Sequence, residues 1–442
     1  MNKLKSLFLC ASIIGAFVST SFAMDLSLQD ATNMIVKESH DLKKADANLQ
    51  KAEASLDAAN ANRWFKLDGS VSYMNLVNIE DPTKSKTIDL PASMGGLISE
   101  SLKDQAVTIA IPDNIFQAGV SLTQPIYTFG KIGNAVKSVK SAIKMSKASK
   151  EMTLREVKYA AAQLYWTAKM TDEMVKLAQQ DLTNARLAKK SLTSAGRANR
   201  SNLLKIESDI ASKEINVSDA EFNRDTAYRM LKIMAGIDVD EQLSLTDNFP
   251  QSFNELTAGE LTSTPQWEIL GEQVKMYERL AKSKRANAYP TLAATANYSY
   301  MALSEDIDTM FDKKGGQSAY WGLALQVPLF SGGLNRANAT VEAMNAIAAQ
   351  QDLDKAKKIT TEQYKNAIKQ YNRLRDNLST LVKARDLAAQ TYKVSQNRFA
   401  AGQTSAVELA DVSAGLYQLD IALLNTKYNI LMSAESVKKL GE

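Results

Sequence analysis

Residues 124–130 read QPIYTFG, and residues 327–333 read VPLFSGG. Each stretch ends an alternating run of residues with a proline, an aliphatic residue, an aromatic residue and a glycine. Pro125 and Pro328 are 203 residues apart (328 − 125), which is close to half of the 442-residue chain. A repeat of this length predicts that the two halves of the chain share one architecture.

Apolar and polar residues alternate before both motifs. Residues 115–127 place apolar side chains on one face and polar ones on the other, and residues 320–330 repeat the pattern. Such a period of two over about ten residues is typical of a membrane strand with one face toward lipid and one toward a lumen. Partner runs lie upstream, so the sequence predicts two strand hairpins, in residues 67–127 and 292–330. A soluble hairpin that packs one face on a core is the alternative.

Long helices are predicted after each hairpin. Residues 131–193 contain no proline and repeat apolar residues at steps of three and four, and residues 334–401 do the same. Gly196 and Gly402 follow these runs, and a left-handed glycine can stop a helix there. A seven-residue apolar pattern from Leu203 to Met234, and another after Gly402, predict returning helices in residues 199–236 and 405–440 that pack as coiled coils.

The first 23 residues predict a secretory signal peptide. They have a basic start, an apolar stretch of about 12 residues and a small-residue site ending at Ala23. A membrane anchor needs roughly 20 apolar residues. The predicted order is then a first repeat in residues 24–236, an equatorial linker in residues 237–264 and a second repeat in residues 265–442, each repeat beginning with a helix.

Several classes of function are excluded by composition and by the absence of motifs. The only cysteine lies inside the predicted signal peptide, which removes thiol chemistry from the mature chain. A net charge of +4 provides no basic field for nucleic acid. The chain has no Walker loop, no HExxH and no GxSxG, and its one histidine, His40, has no carboxylates around it in a catalytic pattern. The sequence therefore predicts neither an enzyme nor a cofactor site.

Closure of the predicted sheet requires several chains. Four strands leave open edges, and open edges are not tolerated in the hydrocarbon of a membrane. Two chains would supply eight strands, whose interior side chains largely fill, whereas three would supply twelve and leave room for a channel. This argument favours a trimer.

The duplicated order of hairpin, long helix, glycine turn and returning helix, with QPIYTFGK and VPLFSGGLN at the junctions, resembles the TolC-type outer-membrane efflux family. The resemblance implies a homotrimer that combines a membrane β-barrel of 12 shared strands with a long α-helical barrel, a coiled-coil tunnel in the periplasm. It implies outer-membrane lipid, a periplasmic adaptor (membrane fusion) protein and an inner-membrane pump or ABC transporter as partners. The implied function is passive export of small molecules or proteins, as in multidrug export and type I secretion. A periplasmic coiled-coil scaffold or adhesin stalk without a pore is the alternative.

The resemblance also implies a pore gate. Glu408 and Asp411 lie three residues apart on one helix face, and the matching acids of the family line the periplasmic entrance and bind cations. The family's arginine is replaced by Thr404, so a basic latch would need Arg197, Arg200 or Lys205. The alternative reading is two solvated acids placed favourably near a helix N-terminus.

Two further sets of residues carry predictions. The resemblance implies that the helix-turn tips contact the adaptor, through Gly196, Arg197, Arg200, Gly402 and Gln403. The strand-to-helix junctions are assigned to Pro125, Gly130, Pro328 and Gly333, because proline removes a ladder donor and glycine permits a bend. The loop in residues 78–114 is longer than a hairpin turn needs, and either caps the outer mouth, faces an external partner or is a solvated insertion.

Overall fold

The computed structural model describes residues 24–75, 86–87, 108–109, 114–194, 199–304, 307–309 and 315–441. The predicted signal peptide, most of the loop in residues 78–114 and the turn residues Gly196 and Arg197 lie outside these ranges. The described part of the chain is mostly helical with some sheet.

Paired strands and long helices alternate along the chain. The strands are β1 (Met24–Leu26), β2 (Lys66–Asn75), β3 (Lys86–Thr87), β4 (Thr108–Ile109), β5 (Asn114–Tyr127), β6 (Leu243–Leu245), β7 (Thr291–Ser304) and β8 (Gly316–Gln326). The helices are α1 (Leu28–Glu38), α2 (His40–Ala61), α3 (Lys131–Ser194), α4 (Arg200–Ala235), α5 (Pro265–Arg285), α6 (Leu334–Ala400) and α7 (Ala406–Gly441). With 64 and 67 residues, α3 and α6 are far longer than the roughly 12 residues of an average helix. Neither contains a proline, whose ring would break the helix.

Four strands form one antiparallel sheet in the order β2-β5-β7-β8. The pairs β2–β5 and β7–β8 are the two expected hairpins, and β5 pairs with β7 to join the two halves of the chain. Among the described residues, β2 and β8 each pair along one edge only. Apolar side chains at alternate positions of β8 are exposed on the single chain, as at Trp321 (86%), Leu323 (68%) and Leu325 (63%).

The last strand is shorter than the sequence predicted. β8 ends at Gln326, so residues 327–330 lie outside the strand. Pro328 has no N–H to donate to a strand ladder, which accounts for an end just before it. Leu329 and Phe330 are 93% and 90% exposed in this segment.

The chain divides into two compact units. The first contains the described residues up to Asn48 and those in the ranges Ser146–Ile269 and Leu353–Glu442; the second contains the described residues in Leu49–Met145 and Leu270–Asp352. The largest apolar core of the first unit surrounds Tyr165 and Leu231, which are fully buried. The Tyr165 hydroxyl donates to Asp247 Oδ2 at 2.7 Å, which satisfies its polar tip inside the core.

Helix-to-helix hydrogen bonds hold the helical part of the second unit. Ser138 Oγ donates to the Met276 carbonyl at 3.1 Å, and Ser283 Oγ donates to the Lys131 carbonyl at 2.8 Å. Buried Glu272 on α5 also pairs with Lys144 on α3, whose Nζ lies 3.6 Å from its Oε1. These contacts fix α5 against the first turns of α3.

The predicted seam of α4 is only partly correct. Ile206 and Leu231 are buried, but Met234 is 43% exposed. Ala235 and Ile237 fill the core at this end of the helix instead, because the chain turns at Gly236 with a left-handed φ of 70°. Lys213, seven residues after Ile206, is buried in a seam position where the sequence analysis placed no charged residue.

No helix in the described ranges combines the length and the apolar character that crossing a membrane requires.

Candidate functional site

The turn at Gly402 places the predicted gate residues. Gly402 has a φ of 76°, its N–H donates to the Phe399 carbonyl at 2.9 Å, and the Gln403 N–H donates to the Arg398 carbonyl at 2.8 Å. These two bonds form a Schellman motif, which ends α6 and satisfies its last carbonyl groups. Ser405 is the N-cap of α7, because its Oγ accepts a hydrogen bond from the Glu408 N–H at 3.2 Å.

An apolar cluster beneath this turn orients the start of α7. Ala406 and Leu409 are buried with residues of the three neighbouring helices, namely Leu192, Ile206, Tyr392 and Phe399. Side chains three apart on a helix share a face. The face with Ala406 and Leu409 points inward, so Glu408 and Asp411 are both exposed on the single chain. The geometry therefore gives the two acids a common solvent-facing side.

One basic residue near the acids was missed by the sequence analysis. Arg398 Nη1 lies 3.9 Å from Glu408 Oε1, and the two side chains are 51% and 49% exposed. A pair this exposed contributes little to stability. Among the described residues, Arg200 and Lys205 are exposed on α4 and make no ion pair with Glu408 or Asp411. The signal for Arg398 was its place ten residues before Glu408, across a tight turn.

Helix capping explains part of the acidic pattern. Ser405 and Glu408 have the spacing of a capping box, and an acid in the first turn is also favoured by the helix dipole. Asp411 lies three residues further along α7, beyond the first turn. Its presence on the same exposed side is the feature that capping leaves unexplained.

A buried polar cluster further along α7 connects this helix with α3 and α4. Lys213 Nζ on α4 donates to Asp181 Oδ2 on α3 at 2.5 Å, and the two side chains are 6% and 9% exposed. Ser413 Oγ on α7 donates to Asp181 Oδ1 at 2.8 Å. Asp209 Oδ1 lies 3.7 Å from Lys213 Nζ, and burial raises the pKa of its carboxyl. The cluster fixes α7 to the α3–α4 hairpin by charge-assisted bonds.

The two strand-to-helix junctions have the same backbone bonds. Lys131 N–H donates to the Thr128 carbonyl and Asn134 N–H to the Gly130 carbonyl; in the second half, Leu334 N–H and Ala337 N–H bond the Ser331 and Gly333 carbonyls. Gly130 and Gly333 have φ values of 83° and 82°. The left-handed backbone therefore occurs where each long helix begins.

The residues before these glycines differ between the halves. Pro125 lies within β5, and the strand register shifts between Pro125 and Tyr127, whereas Pro328 lies beyond β8. Phe129 has a φ of 47°, which is rare for a large side chain, and Gly332 occupies the equivalent place with a φ of 57°. Phe129 packs 4.6 Å, centroid to centroid, from the Tyr127 ring.

The described residues contain no group of three or more His, Cys, Asp or Glu side chains that could hold a metal ion.

Residues 32–236 and 273–440 match the family model described as outer membrane efflux protein. A comparison with curated protein sequences gave no match.

Solved structures of CusC, CmeC and VceC have a similar fold. CusC is 17% identical with a TM-score of 0.77, covering 95% of this chain and 93% of its own. The CmeC outer membrane channel of Campylobacter jejuni is 18% identical with a TM-score of 0.76, covering 93% of this chain and 85% of its own. VceC of Vibrio cholerae is 16% identical with a TM-score of 0.74, covering 94% of this chain and 96% of its own.

The family match spans both halves of the chain and includes both long helices and their returning helices. The protein is therefore an outer membrane channel with a tunnel in the periplasm, and it belongs to the outer membrane efflux protein family, a family of transport channels.

Proposed function

We propose that three copies of this chain form one passive export duct, with a shared barrel of 12 strands and a tunnel built from the long helices. The observation that carries the proposal is the four-stranded sheet β2-β5-β7-β8, whose outer strands each pair along one edge only among the described residues. In hydrocarbon an unpaired edge is costly, and pairing β8 of one copy with β2 of the next removes both edges.

The trimer is tested by the mass of the protein purified from outer membranes in detergent and by its conductance in planar bilayers. The expected result is three chains per particle and a steady ionic current. A scaffold or adhesin stalk would be extracted as a soluble protein and would pass no ions. Dimers, or trimers without conductance, would contradict the proposal.

We place the gate of this duct at Glu408 and Asp411. Both acids are exposed on one side of α7 while Ala406 and Leu409 face the apolar cluster. In a trimer with α7 toward the lumen, six carboxylates from three chains would meet at one constriction. Crowding of like charges would raise the affinity of this ring for protons and divalent cations.

The energy for export is assigned to partners rather than to this chain. We propose that a periplasmic adaptor contacts the helix-turn tips and that an inner-membrane pump or ABC transporter delivers the substrate. In the described part of the tips, Arg200 is exposed at the start of α4, and Gly402 and Gln403 are exposed after α6. Gly196 and Arg197 complete the proposed contact and lie outside the described residues.

Charge reversal at the tip is expected to weaken adaptor binding. Arg200→Glu changes an exposed residue beyond the Asn199 cap, so the helix start is retained. We expect at least a fivefold drop in the yield of adaptor cross-links and an unchanged trimer. Arg336→Glu, an exposed residue at the opposite end of a long helix, is the control. If Arg200→Glu is cross-linked to the adaptor as well as the wild type is, Arg200 does not belong to the adaptor contact.

Substitution of the junction glycines is expected to reduce assembly. In Gly130→Val combined with Gly333→Val, two β-branched residues must adopt a left-handed backbone, at roughly 1–3 kcal/mol each. Quantitative blotting of outer-membrane trimers should therefore show a severalfold loss. Gly133→Val is the control, because Gly133 lies inside α3 and has open space around it. Normal trimer levels in the double variant would contradict the proposed junction role.

A further inference from the structure

A basic cleft lies in the first unit, between α3, α4 and the segment that contains β6. Its volume is about 640 Å³. Five basic side chains line it, whereas only two carboxylates do, Asp172 and Asp225. The basic residues are Lys169, Lys176, Arg224, Arg229 and Lys232. The lining therefore has an excess of three positive charges.

The two carboxylates are already engaged. Asp225 pairs with Arg224 at 2.9 Å, and Asp172 accepts the Tyr228 hydroxyl at 2.5 Å. Arg229 is exposed and makes no ion pair with any described residue. Glu173, beside the cleft, pairs with Lys176 Nζ at 2.8 Å, so an excess of two positive charges remains, and Arg229 carries one of them at the surface.

The floor of the cleft contains a buried cation. Lys169 is only 6% exposed, and its Nζ donates to the Leu245 carbonyl at 3.3 Å. An ammonium group has three donors, and burial of a charge is costly unless it is paired. Within the described ranges Lys169 makes no ion pair. A ligand carboxylate would supply the missing counter-charge.

One edge of β6 faces this cleft. β6 pairs with β1 in parallel, through bonds from Met24 N–H to the Gln242 carbonyl at 2.8 Å and from Thr246 N–H to the Leu26 carbonyl at 3.1 Å. Backbone groups of alternate residues point to opposite edges of a strand. The backbone N–H and C=O groups of Leu243 and Leu245 therefore point away from β1. Lys169 Nζ donates its hydrogen bond to the Leu245 carbonyl on that side. An unpaired strand edge is a site where an extended peptide can add.

We propose that this cleft docks an acidic peptide segment of a periplasmic protein, bound in an extended conformation beside β6. The peptide backbone would bond Leu243, and its carboxylates would meet Lys169, Lys176 and Arg229. Charge complementarity and the outward-facing backbone of Leu243 together favour this occupant. None of the residues that line the cleft belongs to the proposed gate or tips.

The test uses the detergent-purified channel and a fluorescein-labelled heptapeptide, ETETETE, at about 0.1 M salt, where exposed charges are screened within about 10 Å. Fluorescence anisotropy should detect binding, and Arg229→Glu should weaken it at least tenfold. Lys176→Glu is a second variant with the same expectation. Arg373→Glu, an exposed arginine on α6 outside the cleft, should change binding less than twofold. The uncharged peptide QTQTQTQ should bind at least tenfold more weakly.

Strand addition is tested on the peptide, so that the protein stays unchanged. N-methylation at alternate residues removes donors from one edge of an extended peptide. Methylation of one set of alternate positions should abolish binding, whereas methylation of the other set should leave it intact. Equal effects of the two methylated peptides would overturn the strand arrangement.

Three outcomes overturn the proposal as a whole. They are absence of peptide binding to the wild-type channel, equal binding by Arg229→Glu, and displacement of the peptide by inorganic phosphate at equal charge concentration, which indicates a simple anion site. If the trimer binds no peptide and Arg229→Glu lowers the yield of trimer, the cleft holds a second copy of the chain.

Discussion

Replacing Glu408 and Asp411 together with alanine is expected to lower the cation-to-anion permeability ratio of the channel at least fivefold in planar bilayers. The change removes six carboxylates from the proposed ring, and a narrow low-dielectric opening concentrates the field of such charges. Block by divalent cations should fall in parallel. The variant should retain the α7 start, because Ser405, Ala406 and Leu409 are unchanged.

The matched control removes two acids elsewhere. Glu53 and Asp57 are exposed, four residues apart on α2, and their replacement by alanine should leave selectivity unchanged. Glu408→Gln with Asp411→Asn keeps side-chain size and should behave like the double alanine variant. If the double alanine variant has wild-type selectivity and block, Glu408 and Asp411 do not line the pore, and helix capping becomes the remaining role of Glu408.

Replacing Asp181 with alanine is expected to lower the free energy of unfolding by about 3 kcal/mol, because it leaves the Lys213 ammonium buried without its closest partner. Ser413 loses its acceptor in the same step. Asp209, 3.7 Å from Lys213 Nζ, offsets part of the loss. Denaturant titration followed by circular dichroism measures the change.

A second substitution separates the buried charge from the loss of contacts. Asp181→Ala with Lys213→Met removes both charges and should recover most of the stability, since apolar replacement of a whole buried pair is often neutral. Arg186→Ala, at an ion pair whose side chains are 60% and 51% exposed, is the control and should cost less than about 1 kcal/mol. An Asp181→Ala variant that loses less than the control would contradict the structural role of the cluster.

Periodicity made the main elements predictable from the sequence. The seven-residue and two-residue patterns depend only on neighbouring residues, and the ends of α3 and α6 lie within one residue of the predicted positions 193 and 401. The strand end at Gln326 was predicted too late because the apolar alternation continues through Val327 and Leu329, although Pro328 has no N–H to donate to a ladder.

Contacts between segments that are distant in the chain could not be predicted from the periodicity of apolar residues. Lys213 interrupts the apolar seam of α4, and its partner Asp181 lies 32 residues earlier in the chain. Asp181 in turn accepts a hydrogen bond from Ser413, 232 residues further along. The nearness of Arg398 to Glu408 depends on the exact geometry of the Gly402 turn. The positive φ of Phe129 carried no signal, since sequence rules assign that backbone to glycine.

The parallel pairing of β1 with β6 has a consequence for biogenesis. The Leu28 N–H bonds Asp247 Oδ2 at 2.7 Å across 219 residues of chain. Closing so large a loop carries an entropic penalty, and non-local contacts of this kind slow folding. While the chain emerges from an export machinery, residues 24–28 must wait until residues 243–247 have been translocated. During this interval Leu26 and Ile35, both buried in the finished core, stay accessible to chaperones and proteases of the compartment.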